Sequence, residues 1–114
     1  MTVPVVCPLV TAIALLSVAP VTEGSMAEEV AKAVAALDDF DVSYETNPMG
    51  TVVEADSVDE LFAAAQAAHE AVEGDRVSTF LKIDDKRTRE QRASEKVEAV
   101  EEALGREAKR ERGE

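Results

Sequence analysis

The sequence predicts an α+β sandwich in the order strand, helix, strand, strand, helix, strand, with a further helix at the end. Three observations carry this. The runs Thr11–Ala19, Asp41–Asn47, Thr51–Ala55 and Arg76–Asp85 are apolar throughout or alternate with the period of a strand. Two intervening segments carry apolar residues at helical spacing, each opened by a Ser-x-x-Glu capping box, at Ser25–Glu28 and Ser57–Glu60. Between the second and third strands lies Asn47-Pro48-Met49-Gly50, where proline fixes φ and glycine tolerates φ values that other residues avoid. The order βαββαβ is the ferredoxin-like split-βαβ arrangement: a four-stranded antiparallel sheet with two helices on one face, plus a C-terminal helix.

Each element follows from its residues. Thr11–Ala19 is apolar at nearly every position, as in a strand buried on both faces. The first helix runs from the box at Ser25 to about Leu37, with Met26, Val30, Ala33, Val34 and Leu37 as a core-facing stripe. In the second strand Val42, Tyr44 and Thr46 share one face and Ser43, Glu45 and Asn47 the other. The β-branched Thr51-Val52-Val53 suits a pleated surface. The second helix extends from Ser57 to about Glu73 on the face Val58, Leu61, Phe62, Ala65, Ala68 and Val72, with Gly74 as a left-handed C′ residue. In the last strand Val77, Thr79, Leu81 and Ile83 oppose Ser78, Phe80, Lys82 and Asp84. A third helix, from about Arg89 to Leu104, has the stripe Ala93, Val97, Val100 and Leu104, closed by Gly105. The domain is therefore residues 11–104, with residues 105–114 a flexible charged tail.

Residues 1–10 read as an N-terminal extension, disordered or an artefact of start-site choice with Val10 as the alternative start. The stretch Thr2–Thr22 has no charge, which raises a signal peptide or membrane span. Pro4, Pro8 and Pro20 interrupt it and no Lys or Arg precedes it, against both. Cys7, the only cysteine, lies in this extension, so no intrachain disulfide forms.

The chain of 114 residues has 24 acidic and 12 basic residues, a formal net charge of -12, and 4% aromatics. This charge opposes nucleic-acid and anionic-membrane binding. An acidic, aromatic-poor, well-patterned chain is expected to be cytoplasmic and adapted to high salt, where screening shortens to about 3 Å at 1 M. The urea midpoint should then rise with KCl concentration; a flat response rejects that reading.

Chemistry-bearing residues are few. With one Cys, one His, no nucleophile elbow and no phosphate-cradling glycine loop, catalysis is not expected, nor is a metal or cofactor. Asp84 and Asp85 are adjacent on a strand and so point to opposite faces, a poor acid–base pair. The segment Asp84-Asp85-Lys86-Arg87 reads either as a solvated turn with local ion pairs or as anchors for a cationic ligand. His69 reads either as a packing histidine or as a ligand contact. The turn at Pro48 reads either as a tight hairpin or as a place where a ligand approaches the backbone. A bare sheet face bearing Phe80 marks an interface, and a homo-oligomer is expected.

Three stretches in order, Tyr44–Glu54, His69-Glu70-Ala71-Val72 and Leu81-Lys82-Ile83-Asp84-Asp85-Lys86-Arg87, resemble the YkoF-like thiamine-binding proteins of archaea and bacteria. Those carry a Met-Gly-Thr turn, a His-Glu on the second helix and a Lys-Ile-Asp-Asp-Arg-Arg strand end. Lys86 departs from the family's arginine and loses the forked donor geometry. The resemblance covers roughly Thr11 to Leu104. It implies the ferredoxin-like fold, assembly into homodimers or homotetramers, and non-catalytic binding of thiamine or its hydroxymethylpyrimidine moiety as a carrier, buffer or salvage component. A ligand site would draw on Ser17, Asn47, Met49, Gly50, Thr51, Glu54, His69, Lys82, Asp84 and Asp85. Met49 offers a polarizable wall, Asn47 and Thr51 donate and accept, and the carboxylates of Glu54, Asp84 and Asp85 counter the thiazolium charge. The alternative function is an oligomeric structural or regulatory module using the open sheet face for protein contacts.

Overall fold

The computed structural model describes residues 11–113. The expectations for residues 1–10, Cys7 included, lie outside the described residues. The elements are β1 (Ala12–Pro20), α1 (Ala27–Ala36) running into a 3₁₀ turn at Leu37–Asp39, β2 (Ser43–Asn47), β3 (Gly50–Ala55), α2 (Val58–Ala71), β4 (Val77–Asp85) and α3 (Ala93–Leu104). The sheet order is β2-β3-β1-β4, all neighbours antiparallel. This is the ferredoxin-like topology that the element order predicts.

Register sorts the side chains into two faces. Ala14 stands opposite Val53 and Ile83, and Leu16 opposite Thr51 and Leu81. These, with Ala12, Val18 and Ala55, face α1 and α2 and form one core with Ala33, Leu37, Leu61, Ala64, Ala65, Ala68 and Val72. The core is alanine-rich, so helix and sheet approach closely with little side-chain bulk. On the outer face Ile13, Leu15, Ser17 and Ala19 of β1 sit opposite Asp84, Lys82, Phe80 and Ser78. Phe80 is 56% exposed there.

Several local expectations are corrected. At α1 the N-cap is Met26, and no side chain caps it. Ser25 Oγ accepts only from the Ala27 N–H at 3.4 Å. The helix is fastened one turn further in, where Glu29 accepts from the Glu73 backbone N–H at 2.8 Å and pairs with Lys32. The Lys32 ammonium holds the Glu29 carboxyl below the usual carboxylate range, with the Glu73 N–H adding to it. The box at Ser57 forms in half. Its hydroxyl accepts from the Glu60 N–H at 3.2 Å, while the Glu60 side chain reaches across to the Asp41 N–H at 2.9 Å. α2 ends at Ala71 rather than Glu73 because Val72 turns extended, and Gly74 has φ 151°, outside the left-handed helical region, where it packs beside Pro20. Phe62, expected on the core stripe, is 57% exposed. Among the described residues, only Gly105 takes the left-handed cap conformation, with φ 81°.

α3 starts at Ala93, four residues later than its pattern suggests, and buries none of its residues. Val97, Val100 and Leu104 are exposed. The radius of gyration is 16.6 Å, against about 13 Å for a compact domain of this length.

Candidate functional site

The strands differ in length, and that difference opens a cleft. β1 pairs with β3 only from Ala12 to Leu16, while its pairing with β4 continues to Pro20. The β2–β3 hairpin turns at Pro48 and Met49, so the last residues of β1 have no strand on that side. Asn47 pairs with Gly50 to close the turn, and Asn47 Oδ1 accepts the Met49 N–H at 2.8 Å, an Asx turn. Gly50 is required here. A Cβ on it would lie 3.0 Å from the Leu16 carbonyl oxygen and 3.1 Å from Leu15 Cδ1.

A cleft of about 210 Å³ occupies the space between this turn, the end of β1 and α1. Its apolar wall is Met26, Val30 and Val34 of the α1 segment, with Leu37 at the base. Its polar groups are Ser17, Asn47 and the paired hydroxyls of Thr46 and Thr51, whose Oγ1 atoms lie 2.9 Å apart. No charged residue lines it. Periodicity assigned the α1 stripe entirely to the core. Ala33 and Leu37 are buried, but Met26, Val30 and Val34 are only partly covered and form the cleft wall.

The outer sheet face carries two further clefts. One, of about 650 Å³, lies over Ile13, Leu15 and Val52 and is edged by Lys82, Asp84 and Lys96. The other, of about 580 Å³, lies between β2, β3 and α3 and is lined by the carboxylates of Glu45, Glu54, Glu98 and Glu101. Asn47 borders all three clefts, and Met49, 81% exposed, borders two.

The expected site residues therefore divide. Ser17, Asn47, Met49, Gly50 and Thr51 meet at the neutral cleft. Glu54, Lys82 and Asp84 lie on the outer face. Glu54 Oε2 accepts the Ala93 N–H at 3.1 Å, which caps α3 from across the sheet. Asp84 is bonded to Lys96, and that contact holds its carboxyl below the usual range. Asp85 stands on the helix side, opposite Ala12, and meets Arg87 at 3.3 Å. His69 Nδ1 is hydrogen-bonded to Thr79 Oγ1, joining α2 to β4 away from the three clefts. Gln91, which the sequence did not single out, is buried, and its Nε2 donates to the carbonyls of Thr11 and Asp84, both at 3.2 Å. Among the described residues no group of three or more His, Cys, Asp or Glu is placed to hold a metal ion, and no helix is long and apolar enough to cross a membrane.

Fold and clefts together describe a ferredoxin-like domain with a ring-sized neutral pocket beside an acidic sheet face. The family of thiamine-binding proteins matches residues 14–101, and the chain belongs to that family. It is 48% identical over 83 residues to a UPF0045 protein of Methanothermobacter thermautotrophicus, covering 70% of this chain and 84% of that one. A UPF0045 protein of Methanocaldococcus jannaschii is 38% identical over 91 residues, covering 77% and 90%. The crystal structure of M. jannaschii MJ1052 matches with a TM-score of 0.74 at 36% identity, covering 81% of this chain and 97% of that one.

Proposed function

We propose that the protein binds thiamine or its hydroxymethylpyrimidine moiety without chemical change, as a cytoplasmic carrier, buffer or salvage component. The observation that carries this reading is the junction of a neutral cleft and a carboxylate-lined cleft at Asn47. Thiamine has the same division, a neutral aminopyrimidine joined to a cationic thiazolium. The pyrimidine fits between Met26, Val30 and Val34 on one side and the turn on the other. The thiazolium then lies toward Glu45 and Glu54. Such pockets need only a few placed polar groups among apolar walls. Membership of the thiamine-binding family supports the ligand class.

The test is calorimetric titration in molar KCl with thiamine, thiamine phosphate and hydroxymethylpyrimidine. Saturable binding of thiamine near one per chain or per dimer is expected, and no heat from folded protein with any of the three rejects the reading. Asn47→Asp separates turn from ligand. It keeps the Oδ1 acceptor for Met49 and removes the amide donor, so stability should hold while affinity for neutral hydroxymethylpyrimidine falls about tenfold, one lost hydrogen bond. An unchanged affinity places the ligand elsewhere.

The exposed stripe Val97, Val100 and Leu104 favours self-association as well. A homodimer or homotetramer that covers this stripe and the outer sheet face fits both the binding reading and the alternative of a protein-contact module. In sedimentation, the native chain should run as a multiple of 12.2 kDa, and Val100→Lys should shift it to the monomer. A native monomer refutes the assembly.

A further inference from the structure

In an antiparallel sheet, alternate residues of a strand turn their N–H and C=O to opposite neighbours. In β1 the odd-numbered residues face β4. At its two ends Thr11 O accepts from the Lys86 N–H at 2.9 Å, and the Val21 N–H donates to Arg76 O at 2.8 Å. The even-numbered Ala12, Ala14 and Leu16 therefore face β3, opposite Ala55, Val53 and Thr51. Val18 is the next even residue. The position opposite it in that register is Met49, which has already entered the turn and gives its N–H to Asn47 Oδ1. Among the described residues the pairing with β3 ends at Leu16, and no backbone hydrogen bond joins Val18 to the turn beyond it. The following even residue is Pro20, which has no N–H to leave unpaired. Val18 is thus the place on β1 where a donor and an acceptor point together into the neutral cleft.

We propose that the backbone N–H and C=O of Val18 read the aminopyrimidine edge of the ligand, a ring nitrogen accepting from the N–H and the exocyclic amino group donating to the C=O. The inference rests on the thiamine reading above and adds the recognising atoms to it. An aminopyrimidine presents an acceptor and a donor side by side in one plane, as an adjoining strand would. The pair is held rigidly, because the Val18 side chain is buried at 5% exposure in the core and its neighbours Ser17 and Ala19 are committed to β4. A buried donor or acceptor left without a partner is costly, so the ligand completes what β3 leaves undone. The pair rejects a ring that lacks the amino group, because the C=O then stays unmet.

The experiment uses the full chain, labelled with nitrogen-15, titrated with thiamine, hydroxymethylpyrimidine and the deamino pyrimidine that has hydrogen in place of the amino group. The Val18 amide resonance should shift, and its hydrogen exchange should slow, with the first two. The deamino compound should bind at least tenfold more weakly. Val18→Pro removes the N–H on the open side without touching bonds to β4, and it should abolish binding with the fold retained. If that variant fails to fold, the resonance and the analogue decide. Thiamine that binds with the Val18 amide unmoved, or a deamino compound that binds equally well, overturns the pairing and leaves the thiamine reading standing. No binding of either thiamine or hydroxymethylpyrimidine overturns both.

Discussion

Leu61→Ala should lower the unfolding free energy by about 2–5 kcal/mol, the range for truncating a fully buried leucine. Leu61 is 2% exposed and, with Leu37, is one of the two largest fully buried side chains. It sits on α2 in the one core cluster, whose other members include the alanines Ala64, Ala65 and Ala68 of α2 and Ala12 and Ala14 of the sheet. Alanines cannot swing into the space a leucine leaves, so the cavity stays open and the cost falls in the upper half of the range. The neighbouring Phe62→Ala should change stability by no more than about 0.5 kcal/mol, as a surface substitution does, because Phe62 is mostly exposed. Urea unfolding of the two variants checks the contrast. Equal losses would mean that Phe62 is covered in solution, which points to a partner on that face.

Gly50→Val should abolish ligand binding and lower stability by about 1–3 kcal/mol, the cost of a strained backbone position. The added Cβ meets a main-chain carbonyl, Leu16 O at 3.0 Å, and a carbonyl cannot rotate away as a side chain can. Its φ of 157° adds to the strain. The hairpin must lift from β1, which spreads the cleft that the turn helps to wall. Gly24→Val is the control. A side chain there meets only Thr22 Oγ1 at 4.0 Å, and both binding and stability should hold. Thermal melts with and without thiamine read both effects. A Gly50→Val variant that still gains stability from thiamine would remove the turn from the site.

The fold was legible because β1 is apolar at nearly every position, as a central strand of the sheet must be, and because alternation marks β4. The opposing sets Val77, Thr79, Leu81, Ile83 and Ser78, Phe80, Lys82, Asp84 fall on the faces their spacing dictates. Local signatures were less reliable where a distant group competed. Ser25 and Ser57 open the same four-residue pattern, yet only Ser57 caps its helix. Near Ser25 the tie from Glu29 to Glu73, 44 residues away, sets the helix instead. The clefts were half legible. The turn residues could be named from proline, glycine and asparagine chemistry, and they do meet. What could not be read is that β1 outruns β3, because register is a relation between segments far apart in sequence. The cleft wall of Met26, Val30 and Val34 was hidden for the same reason, since a helical stripe looks alike whether a sheet covers all of it or stops short. His69 and Asp85 carry polar groups but sit on elements that lead away from the turn.

α3 is held at one end. Gln91 grips the carbonyls of Thr11 and Asp84, Glu54 receives the Ala93 N–H, and Lys96 meets Asp84. All three grips fall within the first turn and the residues before it. Beyond Lys96, to Leu104, the helix runs as a cantilever about 12 Å long, at about 1.5 Å per residue. Displacement at a clamped beam grows toward its tip, so amide exchange along α3 should quicken from Lys96 to Leu104. A neighbour that catches the tip therefore quenches most of the motion in this part of the chain at a single contact. Caught in this way, α3 would stiffen the acidic cleft that it walls with Glu98 and Glu101, while the neutral cleft, built from the end of β1, the hairpin turn and α1, would keep its stiffness.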